Sequence, residues 1–438
     1  LREESKGFSK QCIAIEQGVA RIMKQQEVNG FKFDLQSALL LLAELREKKQ
    51  AIEDEVHNTF KPKWVDDKLV TPYIKKDGDL SKRGLTDDEY KRCIDTNNFK
   101  PFMRQTLQVF NLGSRKQIGE YLIDFGWKPE RFTPTGQPIV DEKTLSAITH
   151  IHEAKLIADF LLLQKRIAQV DSWVEGVQED GRVHGFVIPN GAITGRMTHR
   201  NPNMAQVPAI YSPYGKECRA CWTVEEGNVL IGVDASGLEI RMLAHYMNDE
   251  EYTNEILNGD IHTANQKLAQ LESRDKAKTF IYALMYGAGD EKLGSVVGGS
   301  TSDGKRARQY FFDNKPTFKS LRDRVQRASA KNYLKGLDGR KLYVRNQHSA
   351  LNTLLQGAGA IVMKQGLVLL DDVLRLNSME YKFVANIHDE WQIEVPKCHA
   401  DKVGQLAVES IVKAGTHFNL RCPLDGEYKI GANWSETH

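Results

Sequence analysis

Two aspartates in apolar surroundings are the residues of this 438-residue chain best suited to metal chemistry. Asp234 directly follows the apolar run 229–233, and Asp389 lies among alternating apolar residues in the segment 381–395. A charge in such surroundings is costly unless it is paired or bound to a metal. Two such side chains on neighbouring strands could hold two divalent cations about 3.5–4 Å apart, and Mg²⁺ favours oxygen ligands of this kind. The simpler alternative is that each aspartate caps the turn after its strand.

Two cations and two aromatic residues recur at a spacing of four: Arg274, Lys278, Tyr282 and Tyr286. On a helix, this spacing puts the four side chains on one slowly winding stripe. The cations could bind the triphosphate of a nucleotide, and an aromatic ring could contact its base. In the alternative interpretation, the tyrosines pack in the core while the cations extend outward to solvent.

The net charge of +2 hides a strongly basic block between residues 303 and 345, where 13 Lys and Arg against four Asp and Glu leave a surplus of nine. Such a block could hold a polyanion, although a solvated helix face is the alternative. With 41% hydrophobic and 27% charged residues, the composition is that of a globular protein. Six cysteines are too few for a disulfide framework and favour a reducing compartment. No uninterrupted apolar run is long enough to cross a membrane.

These residues need a mixed α+β framework to bring them together. The run 229–233 predicts a buried strand, and the segment 381–395 predicts two strands that meet near Asp389. Asp34 is a suitable N-cap for a following helix. Helices are predicted over residues 1–60, 114–125, 142–173, 238–258, 261–297 and 305–334. Between them, the prolines, glycines and mixed charges of residues 61–105 predict an inserted, loop-rich module.

Three segments resemble motifs A, B and C of family A DNA polymerases. They are residues 233–241, 274–287 and 387–390, and they occur in the order of that family. Further matching positions are 194–196, 201–203, 206–208, 259–263, Asn352 and Gln356. From about residue 110 onward, the chain is most similar to the phage T-seven type of replicative polymerase.

The resemblance implies an α+β right-hand polymerase fold, with an antiparallel-sheet palm and helical fingers and thumb. Residues 1–175 would form the thumb, with the inserted module at about 61–105. Residues 176–260 and 346–438 would form the two parts of the palm, and residues 261–345 the fingers.

The same resemblance implies a DNA-templated DNA polymerase that adds dNTPs to a primer 3′-hydroxyl with two Mg²⁺ ions. The implied metal-binding residues are Asp234, Asp389 and Ala235. The implied catalytic residues are Asp234, Asp389, Glu390 and Lys278, with Glu390 in a supporting role. The implied nucleotide-binding residues are Arg274, Lys278, Tyr282, His262, Glu239 and Tyr286, and the implied DNA-binding residues are Arg196, Asn352, Gln356 and His388.

Sugar selection also follows from the resemblance. Glu239 would exclude a ribose 2′-hydroxyl, and the hydroxyl of Tyr282 would stand in for the missing 3′-hydroxyl of a dideoxynucleotide. At Ala283 the family carries Gly, and the effect of this departure is not predicted.

The expected partners are primer-template DNA and dNTPs, with no membrane, in the cytoplasm of a phage-infected bacterium. The module 61–105 stands where the phage type inserts its thioredoxin-binding loop, but it is shorter and differently composed. This favours a processivity factor other than thioredoxin. No exonuclease domain precedes the thumb, so we expect no proofreading by this chain.

Two alternatives remain at this point. A single-subunit RNA polymerase also uses two aspartates and a Lys/Tyr helix, but Glu239 argues against it. A DNA-binding module with a decayed polymerase fold would not need Asp234, Lys278 and Asp389 intact.

Overall fold

The computed structural model describes residues 8–437. They form two compact units, of which one is Leu40–Gln169 and the other contains the remaining described residues. Helices and antiparallel strands both occur, which confirms the α+β prediction.

The helices of the described chain are α1 (Lys10–Asn29), α2 (Leu35–Thr59), α3 (Asp87–Thr96), α4 (Arg115–Asp124), α5 (Glu142–Ala147), α6 (His152–Glu175), α7 (Gly215–Ala220), α8 (Leu238–Met247), α9 (Glu250–Asn258), α10 (Ile261–Ala269), α11 (Arg274–Met285), α12 (Asp290–Val297), α13 (Thr301–Asn314), α14 (Pro316–Ala328), α15 (Ala350–Leu376) and α16 (Ala400–His417). Its strands are β1 (Phe31–Phe33), β2 (Lys63–Val70), β3 (Phe102–Gln108), β4 (Arg182–Val183), β5 (Phe186–Ile188), β6 (Thr198–Arg200), β7 (Trp222–Thr223), β8 (Asn228–Ala235), β9 (Tyr333–Lys335), β10 (Lys341–Tyr343), β11 (Lys382–Ile387), β12 (Glu390–Pro396) and β13 (Gly426–Gly431).

A four-stranded antiparallel sheet is the platform of the larger unit. Its strand order is β11-β12-β8-β13, so β8 lies between two strands that come much later in the chain. Leu230, Ile231 and Val233 of β8 are completely buried, which explains why this run is apolar without alternation. Helix α16 packs on β8 and β13, and α1 packs on β11.

Helix α15 crosses the core of this unit. Within residues 8–437, the segment Gln347–Leu376 alone is long and apolar enough to span a bilayer, but most of it is buried inside the protein. It packs against α1, α8 and α16, as the central helix of a globular core does.

The helices α10 to α14 form a second layer of the larger unit, and their boundaries follow local capping. Asp260 caps α10 and Ser273 caps α11 through side-chain oxygens. Gly287 ends the turn after α11 with φ of +79°, and a Cβ at this position would lie 2.3 Å from a backbone carbonyl oxygen. Both the positive φ and the close approach require glycine here.

The helical structure predicted for residues 1–60 is confirmed for most of residues 8–60, with one difference, and residues 1–7 lie outside the described residues. Asp34 does cap α2, since its Oδ1 accepts the Ser37 N–H at 3.0 Å. However, Gly30 adopts a φ of +60° and ends α1, and the short strand β1 follows. The positive φ of glycine breaks the helix, and β1 then pairs with β4 and β7.

The smaller unit also departs from expectation. About half of residues 61–105 is loop, as predicted, but the segment also contains α3 and the antiparallel pair of β2 and β3, which the sequence did not predict. One face of this pair stays exposed although several of its side chains are large and apolar, so the strands lack the usual alternation of buried apolar and exposed polar residues. A separate core, which includes Phe60, Phe110 and Tyr121, stabilises this unit.

Candidate active site

The sheet brings together the two aspartates that are distant in the sequence. Asp234 is the last residue but one of β8, and its partner across the sheet is Glu390, the first residue of β12. The N–H of Ala235 donates to the carbonyl oxygen of Asp389 at 3.1 Å. Asp234 and Asp389 therefore lie at the same end of two hydrogen-bonded strands.

The segment 381–395 forms two strands that meet at Asp389, as the sequence predicted, and Asp389 itself lies outside both strands. It lies with His388 in the two-residue turn between β11 and β12, and His388 adopts a φ of 57°. Such tight turns require positive φ. The turn places the Asp389 carboxylate beyond the sheet edge, where it can face a ligand.

The electrostatics at this end of the sheet favour a cation. Burial raises the pKa of Asp389 above its usual range, although Arg196 and His388 oppose the effect. A cation next to the carboxylate would offset this burial cost. The donor set of two carboxylates and nearby backbone carbonyls consists of hard oxygen ligands, which fit Mg²⁺.

Among residues 8–437, no group of three or more His, Cys, Asp or Glu side chains forms a metal cage.

Glu390 is engaged in a buried network. Its Oε1 accepts the indole N–H of Trp434 and the amide N–H of Gln392, both at 2.6 Å. Arg219 lies 3.9 Å from the same oxygen. These contacts fix the carboxylate of Glu390, whose backbone pairs with that of Asp234 across the sheet.

Glu239 connects a predicted DNA-binding residue, Arg196, with a predicted nucleotide-binding residue, Tyr286. Its Oε1 accepts a hydrogen bond from Arg196 at 2.7 Å, and its Oε2 accepts one from the Tyr286 hydroxyl at 2.5 Å. Burial, followed by the contact with Glu239, raises the pKa of Tyr286. Because Glu239 lies in the first turn of α8 and Tyr286 ends α11, this contact joins the two helices.

The cationic and aromatic stripe on α11 is largely exposed, except that Tyr282 packs against the core. Arg274 and Lys278 are exposed, Tyr282 is half-buried, and Tyr286 is 44% exposed. The rings of Tyr282 and Tyr286 lie 6.2 Å apart. The alternative of two core tyrosines is therefore wrong for Tyr286.

His262 lies on the neighbouring helix α10, with its ring 6.4 Å from that of Tyr282. Burial lowers the pKa of His262, and the charges of Arg274 and Lys278 lower it further. Its buried Nδ1 lacks a hydrogen-bond partner among the residues that the structure describes. His262 on α10 therefore lies next to the cationic and aromatic stripe of α11.

The predicted DNA-binding residues form two groups. Arg196 and His388 line one small cleft, together with Met363, Lys364 and Asn386. Asn352 and Gln356 lie one turn apart on α15, and the buried Oδ1 of Asn352 has no partner within the described part of the chain.

One residue without a predicted role stands out in this region. Asp260 accepts a hydrogen bond from Arg274 at 2.6 Å and also caps α10. It lies inside the matching segment 259–263, but an N-cap aspartate alone does not reveal a contact with a later helix.

The model of the family described as DNA polymerase family A matches residues 88–436. The chain belongs to DNA polymerase family A. It is 37% identical to the DNA-directed DNA polymerase of Enterobacteria phage T3 over 98% of this chain and 70% of that protein. It is 36% identical to the DNA-directed DNA polymerase of Escherichia phage T7, with the same coverage.

A solved structure described as the POL domain of Pol1 from M. smegmatis, in complex with a DNA primer-template and dNTP, has the same fold as this family A chain. The TM-score is 0.80 at 21% sequence identity, over 96% of this chain and 70% of that chain.

Proposed function

We propose that this family A chain is a DNA-templated DNA polymerase that adds dNTPs to the 3′-hydroxyl of a primer. The observation that carries the proposal is the junction of β8 and the β11–β12 turn. It puts Asp234 and Asp389 side by side, in the same compact unit as the cationic face of α11.

Asp234, Asp389 and the Ala235 carbonyl would hold two Mg²⁺ ions. When bound, such ions lower the pKa of an attacking hydroxyl and stabilise the charge that develops on the phosphates. The Asp389 turn fixes its carboxylate at the sheet edge, while Trp434 and Gln392 keep the neighbouring Glu390 in place.

Arg274, Lys278 and His262 would bind the triphosphate. Arg274 offers a planar fork of donors, and Lys278 offers a compact charge one turn further along α11. The unpartnered Nδ1 of His262 is a polar atom that a phosphate or water could satisfy. Tyr282 would stack on the base, and Tyr286 would lie near the templating position.

Glu239 would select the sugar. Arg196 and Tyr286 hold both of its oxygens, so the carboxylate cannot turn away from an added 2′-hydroxyl. Arg196, His388, Asn352 and Gln356 would contact the primer-template, where they would read groove shape rather than base sequence.

The domain roles are part of the same proposal: residues 1–175 as thumb, 176–260 and 346–438 as palm, and 261–345 as fingers. Like the phage polymerases, the chain would act in the cytoplasm of an infected bacterium.

A protein partner on β2 and β3 would fit the smaller unit. Trp64 pairs with Leu107 across the strands, and Leu69 pairs with Met103. All four side chains are about half exposed or more, and they lie on one face of the pair because residues directly opposite each other share a face. Exposed apolar patches of this kind are typical of protein interfaces, so we assign this face to a processivity factor.

Extension of a primed DNA template by the purified chain tests the function. We expect dNTP incorporation that requires Mg²⁺ and is far faster than NTP incorporation. Preferred use of NTPs would support an RNA polymerase instead, and tight primer-template binding without extension would support a non-catalytic module.

A further inference from the structure

Asp260 joins the two helices that carry the proposed triphosphate ligands. Its Oδ1 accepts the backbone N–H of His262 at 3.0 Å and that of Thr263 at 3.4 Å. Its Oδ2 accepts the Arg274 Nε–H at 2.6 Å and the Thr263 hydroxyl at 2.8 Å. One carboxylate thus fixes the start of α10 and the side chain that begins α11.

Asp260 contacts the Arg274 guanidinium through its Nε–H. A guanidinium has five N–H donors in a rigid fork, and Nε carries one of them. With Nε held by Asp260, both Nη groups remain free of this contact and can bind a phosphate in the bidentate manner that Arg favours. About half of the Arg274 side chain is exposed, so solvent and ligand can reach it.

The position of His262 depends on the same carboxylate. Capping by Asp260 fixes the first turn of α10, and this turn carries the His262 ring toward Tyr282 on α11. A shift of this turn would move the unpartnered His262 Nδ1 relative to Arg274 and Lys278.

We propose that Asp260 is a positioning residue for the incoming nucleotide: it sets the Arg274 guanidinium and the His262 turn in the arrangement that receives the triphosphate, without touching the nucleotide itself. The inference rests on the proposed function, because it assumes that Arg274 binds the triphosphate.

The direction of the change in dNTP affinity on removal of Asp260 distinguishes a positioning role from a purely electrostatic one. As a nearby negative charge, Asp260 repels a triphosphate, so its removal would tighten nucleotide binding if charge alone mattered. As a positioning residue, its removal frees the long Arg274 side chain, and the nucleotide must then restrict those rotamers on binding. Positioning therefore predicts weaker binding.

The test is the replacement Asp260→Ser. Serine is a good N-cap, so α10 stays capped, but its side chain is too short to reach Arg274. We expect the dNTP dissociation constant, measured on a dideoxy-terminated primer-template, to rise about tenfold through the regained Arg rotamer freedom. The maximal incorporation rate and the melting temperature should stay within experimental error of the parent chain.

A matched control is Glu272→Gln, which removes the ion pair between Glu272 and Lys276 near the start of the same helix α11. We expect no change in dNTP affinity for this variant. A similar loss of affinity in both variants would overturn the proposal, since it would show a general response to lost surface charge.

A double-mutant cycle with Arg274→Ala completes the test. If Asp260 acts through Arg274, Asp260→Ser causes no further loss of dNTP affinity in the Arg274→Ala background. An equal loss of affinity in both backgrounds, or tighter binding when Asp260→Ser is the only substitution, would overturn the proposal while leaving the polymerase function intact. If Arg274→Ala itself leaves dNTP affinity unchanged, the proposed role of Arg274 in the polymerase site fails, and this inference fails with it.

Discussion

Replacement of Glu239 by Ala should relax the choice between deoxyribonucleotides and ribonucleotides. In the structure, only 11% of the Glu239 side chain is exposed, and both of its oxygens are held, by Arg196 at 2.7 Å and Tyr286 at 2.5 Å. A 2′-hydroxyl that enters this site would meet a carboxylate that Arg196 and Tyr286 keep from rotating away, so the two groups would crowd each other and the hydroxyl would lose its hydrogen bonds to water.

The size of the effect follows from this geometry. A buried polar group without a partner costs about 1–3 kcal/mol, which corresponds to roughly 5- to 150-fold in the ratio of incorporation efficiencies. Glu239→Ala should therefore reduce discrimination between dNTP and NTP by about one to two orders of magnitude. Tyr286→Phe, which frees only one carboxylate oxygen, should give a smaller reduction.

The assay is single-nucleotide incorporation on one primer-template, with kcat/KM measured for a dNTP and for the NTP of the same base. Glu250→Ala serves as the control, since Glu250 is an exposed glutamate at the start of α9. An unchanged dNTP/NTP ratio in Glu239→Ala, with dNTP incorporation retained, would refute the reasoning.

Three further outcomes are expected. Tyr282→Phe should reduce incorporation of dideoxynucleotides relative to dNTPs by about tenfold, because the variant lacks the hydroxyl that replaces the missing 3′-hydroxyl; equal use of terminators in a competition assay would contradict this. Burial lowers the pKa of His199 to about 4, so the unfolded chain binds more protons than the folded chain below about pH 6.5. In urea denaturation, His199 should therefore account for a loss of roughly 2 kcal/mol in the free energy of unfolding between pH 7 and pH 5, and His199→Phe should abolish that part; an unchanged pH dependence in this variant would count against the assignment. On a long primed template, Trp64→Ala with Leu107→Ala should shorten the products made in the presence of the processivity factor but not those made by the chain alone. Equal product shortening with and without the factor would count against a partner on the exposed face.

The parts of the site that were predictable from the sequence are those with local signals. The apolar run before Asp234 predicts a buried strand, and the alternation around Asp389 predicts two strands that meet there. The spacing of Arg274, Lys278 and Tyr282 predicts a shared helix face. Local periodicity carries this information because each element's exposed and buried sides repeat along the chain.

Contacts between elements distant in the chain were not predictable in this way. Trp434 reaches Glu390 across 44 residues, and Arg274 binds Asp260 on the preceding helix. Neither pair has a spacing pattern that indicates contact. The pairing of β2 with β3 was also missed, because its exposed face is apolar where the usual alternation would place polar residues.

The break between α1 and α2 could not be predicted from the local sequence for a different reason. Gly30 lies in a long helical pattern, and helices tolerate an isolated glycine at moderate cost. Its positive φ became evident only with the pairing of β1 to β4 and β7. Tertiary pairing therefore decided the local structure.

The central claim is that Asp234 and Asp389 act together on shared metal ions, and a double-mutant cycle measures this most directly. Single-turnover dNTP incorporation should fall by about 10³-fold or more in Asp234→Asn and in Asp389→Asn, with the double variant little slower than either, because residues that act as a unit are not additive. Titration with Mn²⁺ on a dideoxy-terminated primer-template should show fewer bound ions in each variant than in the parent chain. Modest and additive rate losses, with an unchanged number of bound ions, would contradict the account.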